Sequence, residues 1–125
     1  MKYIRTLRIL RYTWVLLFVW FATQQLLHPE MWTVFLPEWT GYFPIPPEML
    51  IQLNGWFEYV LALLLALGIW QRPVVAVLAL HLFGIAIETG GAIGVRDAAL
   101  AMIGVALLSA PIDGWPLGVN NRTKE

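Results

Sequence analysis

The sequence has no cysteine and few charged residues. Without a thiol among its 125 residues, the chain cannot form disulfides, thiolate metal sites, iron–sulfur clusters or a dithiol redox centre. Charged residues make up 13% of the chain and hydrophobic residues 59%, and the formal net charge is zero. Soluble domains carry about 25% charged residues, so this chain has too little polar surface to face water. We therefore predict an integral membrane protein, and the zero net charge argues against nucleic-acid binding.

Four apolar segments predict four membrane-spanning helices in a single domain, residues 1–125. The segments cover about residues 12–27, 49–70, 74–88 and 96–110. The first segment follows a basic leader, as in a signal peptide, but it ends without a small-residue cleavage site. It is therefore expected to be a retained span. The predicted fold class is all-α, an integral membrane four-helix bundle with an interfacial aromatic loop between helices 1 and 2.

The segment between the first two spans, residues 29–47, combines aromatic residues with prolines and carboxylates. Trp32, Trp39, Tyr42 and Phe43 all lie in it. Amphipathic rings settle at the level of the lipid headgroups, and prolines resist a continuous helix. We expect this loop to cap the bundle at the membrane interface with its aromatics as anchors. A lid that gates a ligand site is the alternative.

The third and fourth spans are short. Each has about 15 residues, whereas a membrane-crossing helix needs about 20. The residues between them, 89–95, are small and begin with Thr89-Gly90-Gly91, a sequence typical of a helix end. We expect these residues to form an irregular loop that dips into the outer half of the membrane against protein.

The distribution of lysine and arginine predicts the orientation of the chain. With four spans, the leader, the turn at residues 71–73 and the tail lie on one side and hold seven of the eight basic residues. Only Arg96 lies on the other side. Because basic loops remain in the cytoplasm, both termini are expected there, with the protein in the cell (inner) membrane.

Six polar or ionisable residues interrupt the last three apolar segments: Asn54, Glu58, His81, Glu88, Arg96 and Asp97. A helix rise of about 1.5 Å per residue places most of them in one layer of the outer half, with His81 one or two turns below. Carboxylates within a membrane are functional-site hypotheses by default and usually pair with other polar groups. A buried network that only fixes helix packing is the alternative.

The candidate site residues follow from this layer. Candidates for a catalytic role are Glu58, His81 and Glu88. Candidates for binding a cofactor are Asn54, Glu58, His81, Glu88 and Arg96. We expect Arg96 to pair inside the bundle with Glu58, Glu88 or Asp97. No metal site is predicted, because the two histidines, His28 and His81, fall at different depths and no cluster has metal-ligand spacing.

Several of these residues together resemble the DoxX family of small four-helix bacterial and archaeal membrane proteins. The resemblance rests on Asn54-Gly55-x-x-Glu58, the turn Gly68-x-x-x-Arg72-Pro73, His81, and Arg96-Asp97 at the start of the fourth span. It covers roughly residues 49–110. It implies a four-helix membrane fold. Some relatives are linked to quinone-dependent thiosulfate oxidation, and others to membrane redox complexes that handle oxidative stress.

Two functions therefore remain open. The first is a subunit of a membrane redox system that binds a quinone in an apolar pocket with a few polar groups, together with other membrane or redox subunits. The second is a non-catalytic scaffold or assembly subunit whose polar layer only fixes helix packing. A carrier of protons or small solutes is a more distant third. No cofactor is evident from the sequence itself, and a quinone is the cofactor that the first function would require.

Overall fold

The computed structural model describes residues 2–116, which form four helices without a strand. The helices are α1 (Lys2–Leu27), α2 (Pro47–Leu67), α3 (Gln71–Thr89) and α4 (Gly91–Ser109). The all-α class predicted from the sequence is confirmed. The predicted polar tail continues beyond residue 116 and in that part lies outside the described residues.

Helix α1 begins well before its apolar segment. The basic leader and residues 12–27 form one continuous helix of 26 residues, because neither proline nor glycine interrupts the sequence before Pro29. After α1, the aromatic loop (residues 28–46) consists of three short 3-10 turns, Pro29–Met31, Thr33–Phe35 and Glu38–Tyr42.

The turn between α2 and α3 lies at residues 68–70, just before the predicted position. Gly68 ends α2 in the left-handed conformation, with φ 75°, and its N–H bonds back to the carbonyls of Leu64 and Leu65. Trp70 also has a positive φ, 49°, and α3 starts at the next residue. Pro73 lies in the first turn of α3, where a proline costs no helical hydrogen bond.

The prediction of an irregular loop over residues 89–95 is wrong. Only Gly90 separates α3 from α4, and both Gly90 and Gly91 have positive φ, 64° and 58°. Two consecutive glycines in this region reverse the chain within a very short distance, so no longer loop is required. Each helix then has 19 residues, about 28 Å of rise, instead of about 15.

Three helices, α2, α3 and α4, are long and apolar enough to cross a membrane. Helix α1 has sufficient length, but Arg11, Gln24 and Gln25 lie at the borders of its apolar part. That α1 is a fourth span therefore stays a prediction. The packing of α1 along α2 is compatible with a fourth span.

The helices run alternately up and down. The start of α1 contacts the end of α2 through the hydrogen bond from Tyr12 Oη to the Ala66 carbonyl, 2.8 Å, whereas the end of α1 contacts the first half of α2. Trp14 on α1 reaches α4, where its Nε1 donates to the Leu100 carbonyl at 3.2 Å. The apolar core lies around Trp14 and is formed by Phe18, Ala62, Leu65, Val74, Leu78 and Ala101, among others. The polar residues Gln25, Asn54, Glu58 and His81 lie on the side of this core away from the start of α1.

Candidate functional site

Glu58 lies buried in the middle of α2, with 3% of its surface exposed. Its Oε2 accepts a hydrogen bond from Gln25 Nε2 on α1 at 3.0 Å. Asn54, one turn earlier on the same face of α2, donates to Glu58 Oε1 at 3.1 Å and to Gln25 Oε1 at 2.7 Å. The carboxyl group is thus fixed by two amide side chains, which themselves are hydrogen-bonded to each other.

His81 on α3 completes this group. Its Nε2 lies 2.9 Å from Glu58 Oε1, and the ring of Phe57 packs edge-on against the imidazole with 5.3 Å between centroids. Gln25, Asn54, Glu58 and His81 are called the carboxylate cluster below. The cluster joins α1, α2 and α3 through side chains alone.

Within the cluster, Gln25 and Glu58 are buried, whereas His81 and Asn54 are partly exposed. The histidine side chain is 21% exposed, whereas that of Glu58 is 4% exposed. One turn further along α3, Gly84 is exposed and has open space where a Cβ would lie. Among residues 2–116, no hydrogen-bond partner occupies Nδ1 of His81. A ligand could therefore reach His81 from the apolar surface of the bundle and form a hydrogen bond with Nδ1.

The cluster is suited to hold and transfer a proton. Both amides donate to Glu58, so its two oxygens act as acceptors toward α1 and α2. The contact between Oε1 and Nε2 requires one proton between a carboxyl and an imidazole, and which atom carries it depends on the tautomer. Histidine and carboxyl groups are the usual carriers in proton transfer. A proton on this pair has a route outward through the imidazole.

The predicted difference in depth between Glu58 and His81 is not observed. The ends of α2 and α3 explain this: Glu58 lies nine residues before Leu67, and His81 ten residues after Gln71. With about 1.5 Å per residue, their heights are about 14 and 15 Å. The sequence-based estimate started from Trp70 and Pro73, whereas α2 ends three residues before Trp70 and α3 begins two residues before Pro73.

Two further candidates lie apart from the carboxylate cluster. Glu88 is exposed in the last turn of α3 and lines a cavity below the aromatic loop. Arg96 pairs with its neighbour Asp97, as one of the predicted alternatives had it, with Nη2 to Oδ1 at 3.2 Å. The Arg96 side chain is 55% exposed, however, while Asp97 is buried, so the pair lies at the edge of the bundle rather than inside it.

A second buried charge was missed by sequence reasoning. Arg11, expected to be part of a simple basic leader, is 2% exposed. Its guanidinium forms two hydrogen bonds to Asp113, at 2.9 and 3.0 Å, and also donates to the carbonyls of Leu65 and Trp115. Gln71 Nε2 donates to the same carboxylate at 3.3 Å. These contacts, called the terminal clamp below, hold the chain after α4 against α1, α2 and α3.

One signal could have indicated the clamp. Arg11 directly adjoins the apolar segment that begins at residue 12, and Asp113 follows the helix-ending Pro111 by two residues. In an up-and-down bundle of four helices these two positions meet at the same end. The sequence analysis treated each of them only as part of a terminal segment.

The fold and this site define a class, the small helical membrane proteins that contain a buried polar centre. Within this class, the family model that matches the chain is that of DoxX, over residues 6–91, which is more than half of the sequence. The protein belongs to the DoxX family, as its resemblance predicted. The match includes the aromatic loop, which the resemblance had left out, and ends before Arg96-Asp97. Neither the curated proteins nor the solved structures gave a match.

Proposed function

We propose that this DoxX-family protein is a subunit of a membrane redox system and binds the headgroup of a quinone beside His81. The carboxylate cluster exchanges protons with the bound molecule through the imidazole. Reduction of a quinone to a quinol requires two electrons and two protons. The electrons would come from a partner redox subunit, since a chain without cysteine has no ligands for an iron–sulfur cluster.

The observation that carries this proposal is the exposure of His81 on an otherwise apolar surface. Quinones are dissolved in the lipid phase, and His81 is partly exposed, with open space at Gly84 one turn further along α3. Phe57 supplies an aromatic wall. An apolar slot with a few placed polar groups is the usual form of a small-molecule site. Glu58 and His81 would be the residues that hold and move the proton.

The scaffold function remains the second candidate, supported by a different observation. Gln25, Asn54 and Glu58 satisfy one another's hydrogen bonds within the bundle. A satisfied network of this kind fixes the register of helices even without a ligand. In this case His81 would serve as the last member of the network, and partner subunits would bind the flanks of the bundle.

The proposed location is the inner membrane, with both termini in the cytoplasm and the aromatic loop outside. The basic residues of α1 and Arg72 at the start of α3 support it, since they lie at the end of the bundle where α1 begins and α4 ends.

Binding of a short-chain naphthoquinone to the purified chain in lipid nanodiscs tests the redox proposal. Gly84→Leu adds a bulky side chain one turn from His81 and leaves every side chain of the carboxylate cluster in place. His81→Gln keeps a donor toward Glu58 but lacks the second ring nitrogen. We expect each substitution to weaken binding at least tenfold. Leu80→Val, a neighbouring change on the exposed surface, is the control and should leave binding unchanged.

Glu58→Gln separates proton transfer from binding. The glutamine retains the shape of the side chain but cannot release a proton, so quinone should still bind while turnover of the native membrane complex is lost. If quinone binding is absent in the native chain, or if Gly84→Leu and His81→Gln leave it unchanged, the scaffold function is the correct one.

A further inference from the structure

The cavity that Glu88 lines lies between the aromatic loop and the last turn of α3, away from the carboxylate cluster. It has a volume of about 750 Å³ and is called the outer groove here; Phe35, Glu38, Trp39, Tyr42, Glu88 and Thr89 are among its lining residues. Small-molecule sites in proteins span about 300–1,000 Å³. The groove is therefore large enough for a ligand of several carbon and nitrogen atoms.

The walls of the outer groove are aromatic. Phe35, Trp39 and Tyr42 come from two of the 3-10 turns in the aromatic loop, and all three side chains are exposed. Trp39 is held by an edge-on contact with Phe43, with 5.7 Å between ring centroids. The faces of such rings attract cations, most strongly that of tryptophan.

Two carboxylates line the same groove, one from each side. Glu38 starts the third 3-10 turn, and Glu88 lies near the end of α3. Neither forms an ion pair or hydrogen bond within residues 2–116. The basic groups of the same end are already engaged, because Arg96 pairs with Asp97 and His28 lies 3.9 Å from Glu30. The groove thus carries negative charge that the described part of the chain does not neutralise.

From this combination we infer that the outer groove binds a soluble organic ammonium ion of the size of a di- or triamine. The aromatic rings would cover the methylene groups and face the ammonium groups, while Glu38 and Glu88 would neutralise their charge. A bare divalent cation fits less well, since calcium requires six to eight oxygen ligands and only two carboxylates line the groove. This inference does not rest on the quinone proposal, since Glu88 lies seven residues, or about 10 Å, further along α3 than His81.

Calorimetric titration with spermidine tests the inference, using the full chain in an uncharged maltoside detergent at low ionic strength. We expect saturable binding that Glu38→Gln and Glu88→Gln each weaken at least tenfold. Glu48→Gln is the matched control, because Glu48 is an exposed carboxylate at the start of α2 that does not line the groove. The affinity of the Glu48→Gln variant for spermidine should stay within twofold of the native value. Thermal unfolding of each variant verifies that the fold is retained.

The role of the aromatic wall is tested separately. Trp39→Leu should weaken spermidine binding about fivefold, and Trp20→Leu, which changes an exposed tryptophan on α1 outside the groove, should not. Equal losses for Glu48→Gln and Glu38→Gln would show only diffuse attraction to surface charge and would overturn the inference. So would the absence of saturable binding. Binding of phosphatidylethanolamine through Glu38 and Glu88, without binding of spermidine, would identify a lipid headgroup site and overturn the assignment to a soluble cation.

Discussion

Glu58 shows what a single carboxyl group requires in the middle of an apolar helix. An unpaired buried polar group costs about 1–3 kcal/mol, and more when it is charged. Gln25, Asn54 and His81 supply hydrogen bonds to both oxygens, so this cost is largely offset by partners from three helices. Replacement of Glu58 by leucine would leave the side-chain donors of Gln25 and Asn54 without this acceptor, so the carboxyl group also contributes to the packing of the helices.

Gly104 is the residue at which side-chain size matters most clearly. A Cβ at this position of α4 would overlap the ring of Trp14 and lie 3.1 Å from the Cβ of Ala79. We expect Gly104→Ala to lower the free energy of unfolding by about 1–3 kcal/mol, as overpacking of a core does. Equilibrium unfolding in mixed detergent micelles measures this.

Gly84→Ala is the matched control for that substitution, since the Cβ would lie in open space on a helix of the same bundle. It should leave stability unchanged or raise it by up to about 1 kcal/mol through helix propensity. Equal losses for the two variants would mean that Trp14 is not packed against Gly104.

At this scale the sequence predicts some contacts and misses others for a physical reason. Asn54 and Glu58 are four residues apart on one helix, so their contact follows from helix geometry. The pairing of Glu58 with His81 depends on where α2 ends and where α3 begins. Errors of three and two residues at these positions gave the two side chains different predicted depths. Arg11 and Asp113 are 102 residues apart, and no local pattern connects them.

The elements illustrate the same limit. The aromatic loop and the helical segments are evident from proline, glycine and hydropathy. The length of the connection between α3 and α4 is not evident from the sequence. Gly90-Gly91 would end α3 equally well before a long loop or before a direct reversal of the chain. Only the backbone conformation, with a positive φ at both glycines, shows that they reverse the chain directly.

The terminal clamp makes the segment after α4 part of the bundle. Arg11→Ala removes one partner of a buried ion pair and leaves Asp113 without its main counter-charge. Such a loss costs about 3–5 kcal/mol, so the melting temperature in detergent should fall sharply. Arg5→Ala, which removes an exposed arginine of the same helix, should have little effect.

A double substitution tests whether this loss reflects the unpaired charge. Arg11→Met combined with Asp113→Leu removes both charges and should be less destabilising than Arg11→Ala alone, since a buried pair can be replaced by apolar groups at small cost. A double variant as unstable as the sum of its single substitutions would show that the two residues act independently.

The whole molecule separates three polar features along its length. The terminal clamp lies at the end where α1 begins and α4 ends, the carboxylate cluster near the middle, and the outer groove at the end with the aromatic loop. Membership in the DoxX family accounts for the helical fold over residues 6–91. The distinction between a redox subunit and a scaffold depends instead on the surroundings of one histidine, which a sequence pattern does not describe.

The crossing of α1 decides the topology of the whole chain. If all four helices cross, residue 3 and the aromatic loop lie on opposite sides; if α1 lies on the surface, they lie on the same side. The absence of cysteine allows single labelling sites at Gly41, which is exposed with open space around it, and at Tyr3, which is exposed at the start of α1. We expect an impermeant maleimide to label the Gly41→Cys variant in intact cells and the Tyr3→Cys variant only after permeabilisation, because basic segments stay in the cytoplasm. Labelling of both variants in intact cells, or protection of both, would show that α1 does not cross. The reverse pattern would show that the basic end of the bundle faces outward.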